Sequence, residues 1–233
     1  MSTEPTQEQI AALFAQKKAD AKAVEKRIES GVLKISKIVK KGYLPRRGNE
    51  GYACLTSSFR LFGDYANCLS HACFNFSNQE IDELALTCDE TIDTFGTFLI
   101  PYFDECKSEQ EMGRETEKRV IERIGLTGLE MKASPLNKPL LKNQWRVALY
   151  INYNYPDFHF LRQEKSGVWT AKDGYSYRIE RYGYLPTECS GGYKYLNSYV
   201  ITNPYYDLSV STPTEKMAQK LKRQLVLGKE KVI

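Results

Sequence analysis

Asp157-Phe158-His159-Phe160-Leu161-Arg162-Gln163-Glu164-Lys165-Ser166-Gly167-Val168-Trp169-Thr170-Ala171-Lys172-Asp173-Gly174 sets two β-rich runs around a Ser-Gly turn and closes on an Asp-Gly. Aromatic and branched side chains recur in both runs, while Lys165-Ser166-Gly167 and Asp173-Gly174 supply the turn chemistry. This is the pattern of an antiparallel hairpin that continues into a meander. Strands are expected at Phe158–Gln163 and Gly167–Lys172, with a four-residue turn at Glu164–Gly167. That turn pairs Lys172 with His159 and puts Thr170 at the next position on the same face.

Working outward, Gln144-Trp145-Arg146-Val147-Ala148-Leu149-Tyr150-Ile151 is a strand before the hairpin and Tyr175–Tyr182 one after it. Tyr199–Thr202 adds another. Most of the 16 tyrosines gather in this half, where a ring can be buried while its hydroxyl stays wet. The first half has a different period. Thr6 and Gln9 form a capping box for a helix running past Arg27, with Ile10, Phe14, Ala21, Val24 and Ile28 on one stripe. That helix is either an arm packed on the body or a coiled-coil-like partner element. Gly42, Pro45 and Gly48 break regular structure, so 40–52 is a linker. Leu69, Ala72, Cys73 and Phe76 mark a short helix directly after Cys68. Ser77 with Glu80 opens another, and Glu111–Ile124 a third. Thr212-Pro213 starts a closing helix lined by Met217, Leu221 and Leu225. Helices first and strands later define an α+β chain. Its expected organisation is an N-terminal helical arm (1–40), an α+β domain (41–211) and a C-terminal basic helix (212–233).

Among 233 residues, 33 basic and 29 acidic side chains leave a net charge of +4, too small to imply a nucleic-acid partner by itself. The charge is clustered, however. Residues 31–47 hold Lys34, Lys37, Lys40, Lys41, Arg46 and Arg47 and no acid, and 216–231 is basic as well. Either segment suits an anionic partner, although solvated helix faces account for both. There is no apolar run of transmembrane length and no secretory signature at Met1–Pro5. Six irregularly spaced cysteines do not resemble a disulfide framework. Free thiols in a cytoplasm, or in a host's cytoplasm for an effector or viral protein, are therefore expected.

A cysteine nucleophile needs a lowered pKa, a base within hydrogen-bond reach and donors for the developing oxyanion. Cys68, just after Asn67, falls at a helix start, where the dipole and free N–H groups favour a thiolate. Cys73 falls on the buried face. The base comes from two histidines. His71 projects one turn along the same helix, while His159 lies early in the Phe158–Gln163 strand. Asp157 shares the face of His159 and is the expected orienting residue. Gln163 also shares it, about 13 Å along the strand. Asp173 and Asp207 are more distant candidates. A zinc site at Cys68, His71 and Cys73 lacks a fourth ligand at suitable spacing.

Taken together, the Asp-Phe-His-Phe-Leu-Arg-Gln run, Gly167-Val168-Trp169, Lys172-Asp173-Gly174 and the upstream Asn67-Cys68 resemble a motif found in bacterial and viral proteins. Those proteins look like distant members of the papain-like superfamily of proteases, amidases and acyltransferases. The resemblance covers about 30 residues. It implies a papain-like arrangement in which Cys68 attacks an acyl carbon and His159 shuttles the proton. It further implies Asp157 as third residue, Asn67, Arg162 and Gln163 near the substrate or oxyanion, a protein or peptide substrate, and no cofactor or metal. Arg162 and Gln163 alternatively fix the hairpin. A rival reading makes the chain a non-enzymatic interaction protein or virion component, in which 31–47 and the basic C-terminus bind nucleic acid, an acidic partner or a membrane surface and the hairpin is a recognition edge. A third makes it a degenerate enzyme that only binds.

Overall fold

A computed structural model describes residues 7–42, 44, 68–74, 106–154, 157–172 and 179–207. It contains helices α1 (Gln7–Lys40), α2 (Cys68–Cys73) and α3 (Glu109–Leu126). The strands are β1 (Glu130–Ala133), β2 (Gln144–Asn152), β3 (Asp157–Gln163), β4 (Trp169–Lys172), β5 (Ile179–Tyr182), β6 (Glu188–Cys189) and β7 (Tyr193–Thr202). Every strand pair is antiparallel and the order is β1-β7-β2-β3-β4-β5, with β6 on β7. The chain is α+β, as its sequence implies. The helix expected from Ser77, the closing helix from Thr212, Asp173, Asn67 and most of the 40–52 linker lie outside the described residues.

Strand alternation sorts the core into two faces. Trp145, Val147 and Leu149 of β2, Phe158 and Phe160 of β3, and Tyr199 and Ile201 of β7 pack against the helices. Ala148, Tyr150, Leu161, Trp169 and Ala171 face the other way, under Tyr182, Leu185, Tyr193 and Tyr195. The central strand β2 is buried from Trp145 to Asn152, which explains its nearly continuous apolar sequence. β7 carries one extra residue opposite the step from Leu149 to Tyr150, since Leu149 pairs with Asn197 and Tyr150 with Tyr195. This bulge turns Leu196 onto the helix face and leaves Tyr195 on the other.

The structure decides between the two readings of one helix and moves the start of another. The last turns of α1 belong to the core: Val32, Ile35, Ile38 and Val39 are buried and Asn203 Nδ2 donates to the Val39 carbonyl at 3.0 Å. They extend the stripe of Val24 and Ile28 by steps of three and four. Helix α3 starts two residues earlier than expected because Ser108 caps it. Its hydroxyl accepts from Glu111 N–H at 3.2 Å, and Glu111 Oε2 accepts from Lys107 N–H at 2.8 Å.

The hairpin register is a correction. The loop has three residues, not four: Glu164 N–H bonds to Val168 O at 2.8 Å, and Gly167 adopts φ +86°. Gln163, Arg162 and Leu161 pair with Trp169, Thr170 and Ala171. Lys172 therefore lies level with Phe160 rather than His159, and with Thr170 belongs to the helix face. A slip of one residue exchanges the faces of a strand. The positive φ is what a three-residue loop requires, and only glycine takes it without strain. Gly167→Val should lower stability by about 1–2 kcal/mol, and Gly167→Asn by clearly less, in urea unfolding followed by tryptophan fluorescence. Equal stability of the two variants would contradict this loop geometry.

Candidate active site

Helix α2 has six residues, too few to be stable in isolation, so contacts with the sheet hold it. Trp145 Nε1–H donates to the Ala72 carbonyl at 3.2 Å, and the buried Arg162 donates from Nη1 to the His71 carbonyl at 2.9 Å. These contacts bring Cys68 to β3. Even-numbered residues of β3 point their main-chain groups toward β4, as Glu164 N–H shows, and paired β4 residues reach only as far as Leu161. Among the described residues it is α2 that reaches this edge at Phe158–Phe160. There the Cys68 thiol donates to the Phe158 carbonyl at 3.8 Å. The sulfur lies against the main chain on both sides of His159, because the Phe160 N–H also approaches it, as does Leu69 N–H from its own helix. Cys68 thus meets a strand carbonyl 90 positions further along the chain.

Their side chains have different surroundings. Cys68 belongs to the helix-side core with Phe158 and Phe160. The His159 ring, buried, lies 5.2 Å centroid to centroid from the Tyr193 ring on the other face. The Tyr193 hydroxyl donates to Asp157 Oδ2 at 2.5 Å, and Asp157 Oδ1 accepts from Phe158 N–H at 2.8 Å. Asp157 and His159 are connected through Tyr193. Tyr193 was not singled out from the sequence, where it is one of many tyrosines next to a Gly-Gly pair.

Contrary to the expectation of a lowered pKa, burial pushes the Cys68 thiol up to about 12, with the Phe160 and Leu69 N–H groups pulling the other way. A single short helix turn cannot offset removal from water. Cys73, also in the core, is pushed higher than an ordinary thiol by burial and by Cys68. Cys68, Cys73 and Cys189 are free thiols. Among the described residues no group of three or more His, Cys, Asp or Glu could hold a metal ion.

Arg162 and Gln163 serve the hairpin. Arg162 Nη2 pairs with Glu164 Oε1 at 2.9 Å, both side chains closed to solvent, and Gln163 Nε2 donates to Gly167 O at 3.4 Å. His71, set aside in the sequence on its position, is buried against the sheet with Nε2 at 3.1 Å from Thr170 Oγ1. Burial, and then the charges of Arg162, Lys172 and His159, hold its pKa well below the usual range. Position 71 looks like an ordinary helix residue until Thr170 is turned toward it by the three-residue loop. Asp207, at the end of the described chain, is exposed. No protein-family model, curated protein or solved structure matches the chain.

Two outcomes follow from these environments. At pH 8, iodoacetamide should modify Cys68 at least about a hundredfold more slowly in the folded chain than in urea, because few molecules carry the thiolate. Peptide mapping would read this, and comparable rates would refute the buried, protonated thiol. His71 has a folded pKa below its unfolded value, so the unfolded chain takes up the proton first as pH falls. Its contribution is complete above about pH 6.5 and declines below, by up to about 1.4 kcal/mol per pH unit. Urea unfolding at pH 7 and 5.5 should show this loss in the wild type and a smaller one in His71→Gln.

Proposed function

We propose that the chain is a cysteine-dependent hydrolase or acyltransferase of papain-like arrangement, with Cys68 as nucleophile and His159 as general base and acid. The observation that carries this reading is the seating of the Cys68 sulfur against the main chain that flanks His159. The Cys68 thiol sits at the edge of the strand that carries His159, whose ring lies on the other face in the resting chain, so α2 moves before the two meet for acyl transfer. The sulfur attacks the acyl carbon as its proton passes to the imidazole, and that proton then goes to the leaving group. The N–H of Leu69, which moves with Cys68 on α2, is the donor beside the reacting sulfur, in the role of an oxyanion site. Asp157 acts on His159 through Tyr193. Attack follows local opening of α2, since Cys68 is closed to solvent as described. A peptide or protein acyl group is the substrate class that the Asn-Cys and Asp-Phe-His resemblance favours.

A second reading, a protein that binds and does not cut, has its own support in the buried, protonated thiol and in Lys37, Lys40 and Lys41, which are exposed at the end of α1. One experiment separates the two. Aryl-ester and peptide-thioester acyl donors should leave an acyl adduct on Cys68 by intact-mass and peptide analysis, absent in Cys68→Ala. The adduct should form about 100-fold or more slowly in His159→Ala. Absence of any Cys68 adduct, or one formed equally fast without His159, would leave the binding reading in its place.

A further inference from the structure

Four buried residues close a ring of hydrogen bonds that begins and ends on His71. Thr170 Oγ1 donates to Glu164 Oε1 at 2.7 Å, and Arg162 Nη2 donates to that same oxygen at 2.9 Å. Arg162 Nη1 reaches the His71 carbonyl at 2.9 Å, and His71 Nε2 returns to Thr170 Oγ1 at 3.1 Å. Threonine has one hydroxyl hydrogen. Its nearest acceptors are the Glu164 carboxylate at 2.7 Å and the Arg162 carbonyl at 3.4 Å, and the shorter, charged contact takes it. Nε2 of His71 must then be the donor toward Thr170. The neutral ring is therefore the Nε2–H tautomer, and its buried Nδ1 carries a lone pair with no hydrogen-bond partner among the described residues.

We propose that this ring is a latch that positions α2, and with it Cys68, on the edge of β3 at Phe158–Phe160. In this role Thr170 and Glu164 are positioning residues, and the inference rests on Cys68 being the nucleophile of the proposed reaction. A six-residue helix has no placement of its own, and the ring grips both its main chain and a side chain. Opening the ring frees α2 to swing out, and the thiol gains solvent and an incoming acyl group. The latch explains why the hairpin carries a buried Arg, Glu and Thr on its helix face, where apolar side chains would pack as well.

The test uses the full chain with Thr170→Val, which removes the hydroxyl at nearly constant shape, and Thr170→Ser, which keeps it. Imidazole ¹⁵N shifts of the wild type at pH 7 should show His71 as the Nε2–H tautomer, Thr170→Val should lose that fixed tautomer, and Thr170→Ser should restore it. Iodoacetamide should modify Cys68 at least about tenfold faster in Thr170→Val than in wild type. Cys189, on the opposite face of the sheet, should keep its rate, and Thr170→Ser should return Cys68 to the wild-type rate. Equal acceleration of Cys68 and Cys189, or of neither, would overturn the latch. If Thr170→Val does not fold, an Nδ1–H or mixed tautomer in the wild type still overturns it. None of these readouts requires acyl transfer, so a missing Cys68 acyl adduct beside an intact latch would sink the proposed activity alone.

Discussion

The Arg162 guanidinium holds together parts of the molecule that the chain supplies far apart. It donates to the main chain of α2 and to the Glu164 carboxylate, entirely out of water. Desolvating such an ion pair costs several kcal/mol, and the pair is retained where its geometry does something that an apolar pair would not. Here it fixes a one-and-a-half-turn helix, which could not hold itself, against a particular edge of a sheet. Everything at the candidate site is downstream of that contact. The approach of Cys68 to the Phe158 carbonyl depends on it, and so does the seating of His71 under Thr170.

The second constraint is the length of one loop. With three residues between the paired strands, and Gly167 in the left-handed region, Thr170 and Lys172 face the helices while Trp169 and Ala171 face the other core. A loop longer by one residue would exchange these sets, turning Trp169 toward α2 and leaving Glu164 without its Thr170 partner. A turn glycine thus acts on the chemistry of a helix that precedes it by about 100 residues. Packing transmits the effect, because each face accepts only one of the two sets.

Cys68 shows how competing terms are resolved by magnitude. A helix start favours a thiolate by under about 1 kcal/mol for an exposed group. Withdrawal from water disfavours the thiolate on the order of 4 kcal/mol, judged from a thiol pushed up to about 12. Burial wins, and the resting thiol is protonated. A thiol held in that way is protected from oxidation and alkylation. The same low-dielectric surroundings keep His71 neutral.

The amino-acid sequence by itself determined the α+β division, the strands around Trp145, Phe158 and Trp169, and the short helix at Cys68, because period and turn residues are local properties. It also isolated Cys68, His159 and Asp157 on residue type and position. It did not reveal the cap at Ser108 that lengthens α3, the β7 bulge, or the join of α1 to the core through Ile35 and Val39. The Arg162–Glu164–Thr170–His71 ring and the link from Asp157 through Tyr193 to His159 were decided by tertiary structure alone. The reason is physical. Register and burial depend on which distant surfaces meet, and a difference of one residue in a loop, or of a few ångströms of solvent exposure, changes the face of a side chain and the protonation of a thiol without changing any local pattern.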